Sequence, residues 1–287
     1  MDKLNGFIYV AFGATHAAMA LHSLHTLKLQ EMESYGSALV TDTATNDLYA
    51  GSLQRAFDTV KVVDVSPDAH REIKTAIQEY SPFTRSVYLD ADTVIVRSLQ
   101  TLFDLLNHAD VAVASVPWGH WKGVKKGLDS RFGYKLANLP RYSSGVFSFN
   151  TDTSRDFFDK WSHFYNERGF PADEPSFLDA ILATGCKVLA FDERWNCATG
   201  PYLRQGTKRQ VAICHYSSSI PHRLRRSILD TLKAWTDLNE GERVQVDEGL
   251  QKKSKIYRDR RSALEWKLRE VISQEALAWP VRSRNLP

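Results

Sequence analysis

Val87-Tyr88-Leu89-Asp90-Ala91-Asp92-Thr93-Val94-Ile95-Val96 is the stretch on which the reading of this chain turns. Two carboxylates, one residue apart, stand between two apolar runs. Such a run reads as a buried strand. The carboxylates then fall where the strand leaves the core, and in open α/β sheets ligands bind outside the carboxyl ends of strands. With side chains alternating, residues i and i+2 point to one side of the chain. Asp90 and Asp92 can therefore meet one hard cation. Mg²⁺ or Mn²⁺ takes carboxylate oxygens and usually keeps positions for substrate phosphates. A bare Asp-x-Asp is more often a capped turn beside a solvated carboxylate. The apolar flanks on both sides weigh here for a metal pair.

Working outward, short apolar runs alternate with helical patterns. Phe7–Phe12 reads as a strand and Ala17–Leu29 as a helix with Ala17, Leu21, Leu24 and Leu27 on one face. Ala38–Val40 and Val60–Val65 read as strands. Ser66-Pro67-Asp68 opens a helix carrying Ile73 and Ile77, closed by Ser81-Pro82. Ser86–Leu89 is a strand, Val94–Val96 a short one, Leu99–Leu106 a helix and Asp110–Val116 a strand. Val146–Phe149, Val188–Phe191 and Val211–Cys214 read as strands. Thr151–Arg168 and Glu174–Ala183 read as helices, and the chain looks helical after Pro221, with a loop near Gly241. This alternation predicts a mostly parallel mixed sheet with helices on both faces. The expected organisation is a catalytic domain over 1–240 and a basic helical extension over 241–287.

The 287 residues suffice to bury a core without disulfides. Three cysteines with no C-x-x-C pair exclude a disulfide scaffold and a cysteine-rich zinc site, and fit a reducing, cytoplasmic location. The net charge of +3 is too near balance to indicate nucleic acid. No apolar run is long enough to span a bilayer. The apolar stretch Gly6–Leu21, interrupted by His16, reads as a strand, a turn and a helix rather than a signal peptide. Lys252 to Arg284 is basic, with interleaved Tyr257, Trp266 and Trp279. It could lie on an anionic membrane surface or be a solvated helical face packing Leu264 and Leu268 on the body.

Five segments, in order, resemble the GT-A glycosyltransferases, and most of all family 8. Tyr88–Thr93 resembles the family's D-x-D signature. Tyr142-Ser143-Ser144-Gly145-Val146-Phe147-Ser148-Phe149-Asn150 is similar to the segment that lines the donor sugar. Asp173–Leu178 is similar to the D-Q-x-x-L-N segment, Trp195-Asn196 to a W-N dipeptide, and Cys214-His215-Tyr216 to a late strand ending in a metal-binding histidine. The resemblance implies the GT-A, nucleotide-diphospho-sugar transferase fold. It implies a hexosyltransferase-type enzyme moving a sugar from a nucleoside-diphosphate donor to a glycan, lipid-linked or other hydroxyl acceptor, with retention. Asp90, Asp92 and His215 would be the metal ligands, and the imidazole tilts the site toward Mn²⁺ over Mg²⁺.

The donor would be addressed by Ala11, Phe12, Gly13 and Thr15 after the first strand, by Lys74, by Asp90, Ala91 and Asp92, by Ser143, Ser144 and Gly145, and by Arg223. Lys74 reads about equally well as a solvated surface lysine. Asp173 and Glu174 are the candidates beside the reacting carbon. A carboxylate there can stabilise an oxocarbenium-like centre or take the acceptor proton. Asp173 could also cap the helix that follows, with Glu174 pointing inward. Arg204, Lys208 and Arg209 add surface charge, or a phosphate clamp. The loop Pro117–Arg141, with Trp118, His120, Trp121, Lys122, Lys125, Lys126 and Tyr134, has the composition of an acceptor lid or of a surface excursion.

The chain departs from the family pattern at several points. Phe12–His16 lacks the acid or amide that touches the base, Ser143 replaces Asn, Glu174 replaces Gln, and Ser217–His222 lacks a Gly and a Lys. Two alternatives accompany the reading. A haloacid-dehalogenase-type phosphohydrolase also places D-x-D after a strand, but its Thr four residues on is Val94 here. The other is a nucleotide-sugar-binding protein with a relic site.

Overall fold

The computed structural model describes residues 4–32, 34–116, 141–168, 173–198, 211–216 and 220–258. The elements run β1 (Asn5–Val10), α1 (Ala14–Lys28), β2 (Gly36–Asp42), α2 (Thr43–Leu48), α3 (Ser52–Ala56), β3 (Thr59–Val63) and α4 (His70–Thr75). Next come β4 (Arg85–Leu89), β5 (Thr93–Ile95), α5 (Gln100–Asp104), β6 (Val111–Val116), β7 (Arg141–Asn150) and α6 (Arg155–Arg168). Then follow α7 (Glu174–Ala183), β8 (Val188–Phe191), β9 (Cys197–Ala198), β10 (Ile213–His215), α8 (His222–Trp235) and α9 (Glu240–Arg258).

A seven-stranded sheet has the order β3-β2-β1-β4-β7-β6-β8. β1, β2, β3 and β4 pair in parallel, β7 runs antiparallel to β4 and β6, and β8 is parallel to β6. β1 and β2 are buried on both faces, which is why they read as unbroken apolar runs rather than alternating ones. A small sheet, β5-β10-β9, stands beside it. The chain winds outward from β1 to β3 and then crosses back, placing β4 on the other side of β1. That reversal is a topological switch point at the carboxyl ends of β1 and β4, the place where ligands bind in open α/β sheets.

Two apolar clusters cover the two faces of the large sheet. One packs α1, α5, α8 and α9. The other packs α4, α6 and α7 and is dense in rings, with Trp161 edge-on to Phe147 and to Phe177.

The structure departs from the sequence reading in instructive places. β7 starts at Arg141, five residues earlier than the apolar run that announces it, because Arg141, Tyr142 and Ser143 pair with Val116, Ser115 and Ala114 of β6. α2 and α3 fill a stretch with no apolar period. Asp42 starts α2, its carboxylate accepting the Thr45 N–H at 2.9 Å. The loop expected near Gly241 spans Thr236–Asn239, and Gly241 itself lies inside α9. Asn239 and Glu242 bond each other's backbone N–H groups at 2.8 and 3.0 Å, a reciprocal cap that sets where α9 begins. Val246 and Leu250 of α9 are fully buried in the cluster that contains α1. Among the described residues no helix is long and apolar enough to cross a membrane.

Candidate metal centre

β4 ends at Leu89, and the next residues turn into β5. Asp90 N–H bonds the Gly145 carbonyl of β7 at 2.9 Å, and Tyr216 N–H bonds the Asp92 carbonyl at 2.9 Å. These bonds pin the acidic turn between the two sheets. β10 runs antiparallel to β5 with His215 opposite Thr93, which brings the imidazole back over the carboxylates. His215 Nε2 lies 3.2 Å from Asp92 Oδ1 and 3.5 Å from Asp90 Oδ2.

Asp90, Asp92 and His215 each offer one ligand atom, all within 4.8 Å of one another. Two ligand atoms at right angles on an Mg²⁺- or Mn²⁺-sized ion are about 3.0 Å apart, so these separations suit one ion. Two carboxylates and an imidazole are hard to borderline donors, a set that can hold one divalent cation.

Gly145 completes the cradle. A Cβ placed there would lie 2.3 Å from His215 Cε1 and 2.9 Å from Asp90 Oδ2. Space for the ring and the carboxylate therefore requires glycine. The pairing of β6 with β7 jumps from Val113–Phe147 to Ala114–Ser143. Ser144, Gly145 and Val146 form the resulting bulge, a device often found beside active sites.

The electrostatics follow from burial. Burial alone would push the Asp92 pKa up, but the adjacent His215 overrides it and holds the carboxyl well below its usual range. For His215, burial would lower the pKa, yet Asp92 and then Asp90 leave it raised. Lys74, buried on α4, bridges two carboxylates: its Nζ is 3.1 Å from Asp90 Oδ1 and 3.3 Å from Asp173 Oδ2. Burial opposes its charge, but Asp173 and Asp90 keep its pKa raised. Lys74 is thus a built part of the site and not a solvated surface lysine. Tyr88 donates to Asp90 Oδ1 at 2.8 Å, and Lys74 Nζ sits 5.0 Å from that ring's centre.

Asp173 corrects one expectation. It occupies the N-cap position of α7, but its side chain makes no cap bond. It turns into the site, where Ser144 Oγ donates to it at 2.8 Å. Trp161 Nε1 donates to its carbonyl at 3.0 Å. Burial raises the Asp173 pKa, but Lys74 and Ser144 outweigh burial and hold it low. Glu174 faces Arg141, with Arg141 Nη2 at 2.6 Å from Oε2. There burial wins over Arg141, and the Glu174 pKa is raised.

Ala11 to Thr15 lie at the carboxyl end of β1. Ala11 and Phe12 are buried; the Ala11 N–H bonds the Val40 carbonyl at 3.0 Å and the Ala11 carbonyl accepts from Thr41 Oγ1 at 2.8 Å. Gly13 adopts φ +79, a left-handed conformation glycine takes freely. Its N–H bonds Asp42 Oδ2 at 2.9 Å and Thr45 Oγ1 at 2.7 Å. Thr15 packs against Gly249 of α9. His16 bonds the Phe12 carbonyl at 3.0 Å and is held neutral, its pKa down at about 4, chiefly by burial. Ala91, between Asp90 and Asp92, is buried. Arg223 is exposed in the first turn of α8. The lid residues Trp118 to Tyr134, the cluster Arg204, Lys208 and Arg209, residues 217–219 and the tail beyond 258 lie outside the described residues.

Sequence reasoning missed three contributors. Tyr88 stood in the acidic-motif segment without a role of its own, although i and i+2 alternation aims it with Asp90. Arg141 carried no local signal. Asp42 had one, an acid just after a strand and three residues before Thr45.

No protein-family model matches the sequence, and no curated protein matches it as a relative. Solved structures do match by shape. The galactosyltransferase LgtC, solved with donor and acceptor sugar analogues, superposes with a TM-score of 0.58 at 14% identity, covering 84% of this chain and 99% of that one. An active-site mutant of LgtC gives 0.58 at 15% identity, covering 83% and 99%. The chain has the GT-A fold, a mixed α/β architecture on a mostly parallel sheet, as the family resemblance implied.

Proposed function

We propose that this protein is a metal-dependent glycosyltransferase. It takes a nucleoside-diphosphate sugar as donor and a hydroxyl group of a glycan or lipid-linked molecule as acceptor, with retention at the anomeric carbon. The observation that carries the reading is the Asp90–Asp92–His215 cluster, seated where β4 runs out and cradled by Gly145 of β7.

Glycosyl transfer expels a nucleoside diphosphate, and negative charge grows on it as the anomeric bond breaks. A divalent cation, when bound, supplies Lewis-acid stabilisation of that charge, of the order of several kcal/mol. The chain's residues divide the remaining work. Asp90, Asp92 and His215 hold the ion. Lys74 contacts both Asp90 and Asp173 and offsets one of their two negative charges, which eases the approach of an anionic donor. Asp173, kept ionised by Lys74 and Ser144, is suited to accept hydrogen bonds from sugar hydroxyls and to face developing positive charge. Glu174, with a raised pKa beside Arg141, is the better suited of the two to exchange a proton with the acceptor. Gly13 and Thr15, which follow β1, are the residues we assign to the nucleotide.

Calorimetry with uridine and guanosine diphosphates tests the reading. Binding is expected only with Mn²⁺ or Mg²⁺, and Asp92→Ala should abolish it. Equal binding in the presence of a chelator would overturn it. A fluoride-trapped aspartyl adduct at Asp90 would instead support a phosphohydrolase.

A further inference from the structure

His215 has two ring nitrogens, and only one faces the carboxylates. Nε2 points at Asp90 and Asp92, while Nδ1 lies 2.8 Å from Asn196 Oδ1. Asn196 is 6% exposed, and its Nδ2 donates to Ser143 Oγ at 3.0 Å. That second bond uses the amide nitrogen and leaves the carbonyl oxygen for the histidine. A metal ligand must offer a lone pair, so a ligating Nε2 requires the proton on Nδ1. A buried Nδ1–H in turn needs an acceptor.

We infer that Asn196 is a positioning residue for the metal centre. Its carbonyl oxygen holds the His215 proton on Nδ1 and so presents the Nε2 lone pair to the ion. This inference rests on the metal-centre reading and extends it to a residue that touches neither ion nor donor. The linkage runs from Ser143 of β7, just before the bulge, through Asn196, next to β9, to His215 on β10. Two sheets thus fix one ring. Such outer partners orient the imidazole and raise its basicity, and losing one typically costs about 10–100-fold in metal affinity.

Mn²⁺ binding to the metal-free protein, followed by the loss of the free-ion EPR signal, tests this without reference to activity. Two variants of similar shape separate the roles. Asn196→Asp keeps an acceptor facing Nδ1, whereas Asn196→Leu keeps the volume and removes it. A packing role predicts that Leu binds Mn²⁺ as well as Asp or better. The acceptor role predicts the opposite order: Asp within a few-fold of wild type, Leu weaker by about tenfold or more. Thermal denaturation of the three metal-free proteins shows that each is folded. Leu binding as tightly as Asp, in a wild-type background that does bind, overturns the role of Asn196 alone. No Mn²⁺ binding by the wild-type chain overturns the metal centre, and this inference with it.

Discussion

Gly145 shows how little freedom the site allows. Adding one methyl group there places carbon against both the His215 ring and the Asp90 carboxylate. Overpacking of this kind costs about 1–3 kcal/mol. Gly145→Ala is therefore expected to lower thermal stability modestly while weakening Mn²⁺ binding by at least about tenfold, since displaced ligands no longer share one ion. EPR titration checks it; undiminished binding would mean that the ring moves freely.

His215 sets a pH dependence. Its folded pKa lies above the ordinary value of 6.5 because Asp92 and Asp90 outweigh burial. The stabilisation from that charged contact is complete below the unfolded pKa. It is lost as pH rises through the folded pKa. The melting temperature of the metal-free protein should fall as pH rises above about 6.5. Mn²⁺ must displace the His215 proton, so its apparent affinity should rise over the same window, by up to about tenfold per pH unit. Affinity unchanged between about pH 5.5 and 8 would argue against imidazole ligation.

Among the elements, the pair α6 and α7 has the largest structural task. Trp161 is fully buried among Phe147, Phe157, Phe158 and Phe177, and its indole N–H holds the Asp173 carbonyl at the start of α7. Trp161→Ala should cost about 3–5 kcal/mol in urea denaturation. It should also loosen the placement of Asp173. The buried pair of Arg168 and Asp179 ties the same two helices together. At the other end, the Asn239–Glu242 cap starts α9. Asn239→Ala should cost about 1 kcal/mol, read as a small fall in melting temperature.

These elements differ in how legible they were. α7 was readable to its ends, because Pro175 marks a first turn and an apolar face follows. α2 and α3 were not, since their sequences carry no periodic face and Asp42 and packing decide them. β7 was half-readable: Val146–Phe149 announces a buried strand, while Arg141–Ser144 is polar and becomes strand only by pairing with β6.

For the molecule as a whole, the sheet order is what makes a site. Lys74, Asp90, Asp92, Gly145, Asp173, Asn196 and His215 come from distant parts of the chain and converge where β4 ends between β7 and β10. Ligand that binds only the folded state stabilises it in proportion to occupancy, by about 2.7 kcal/mol at a hundredfold excess over Kd. A nucleoside diphosphate with Mn²⁺ should therefore raise the melting temperature clearly, and neither should do so as much alone. Equal shifts with and without the ion would contradict the shared site.

Local chemistry in the chain was enough to say that strands and helices alternate, that Asp90 and Asp92 leave the core together, and that His215 ends a buried strand. Each of these follows from burial and short-range spacing, which neighbouring residues specify. The direction of Asp173, the bridging of Lys74 and the grip of Asn196 on His215 emerged only on folding. Each is a contact between residues far apart in sequence, set by the packing of two sheets and two helices, and no local propensity encodes which distant partner a side chain will meet.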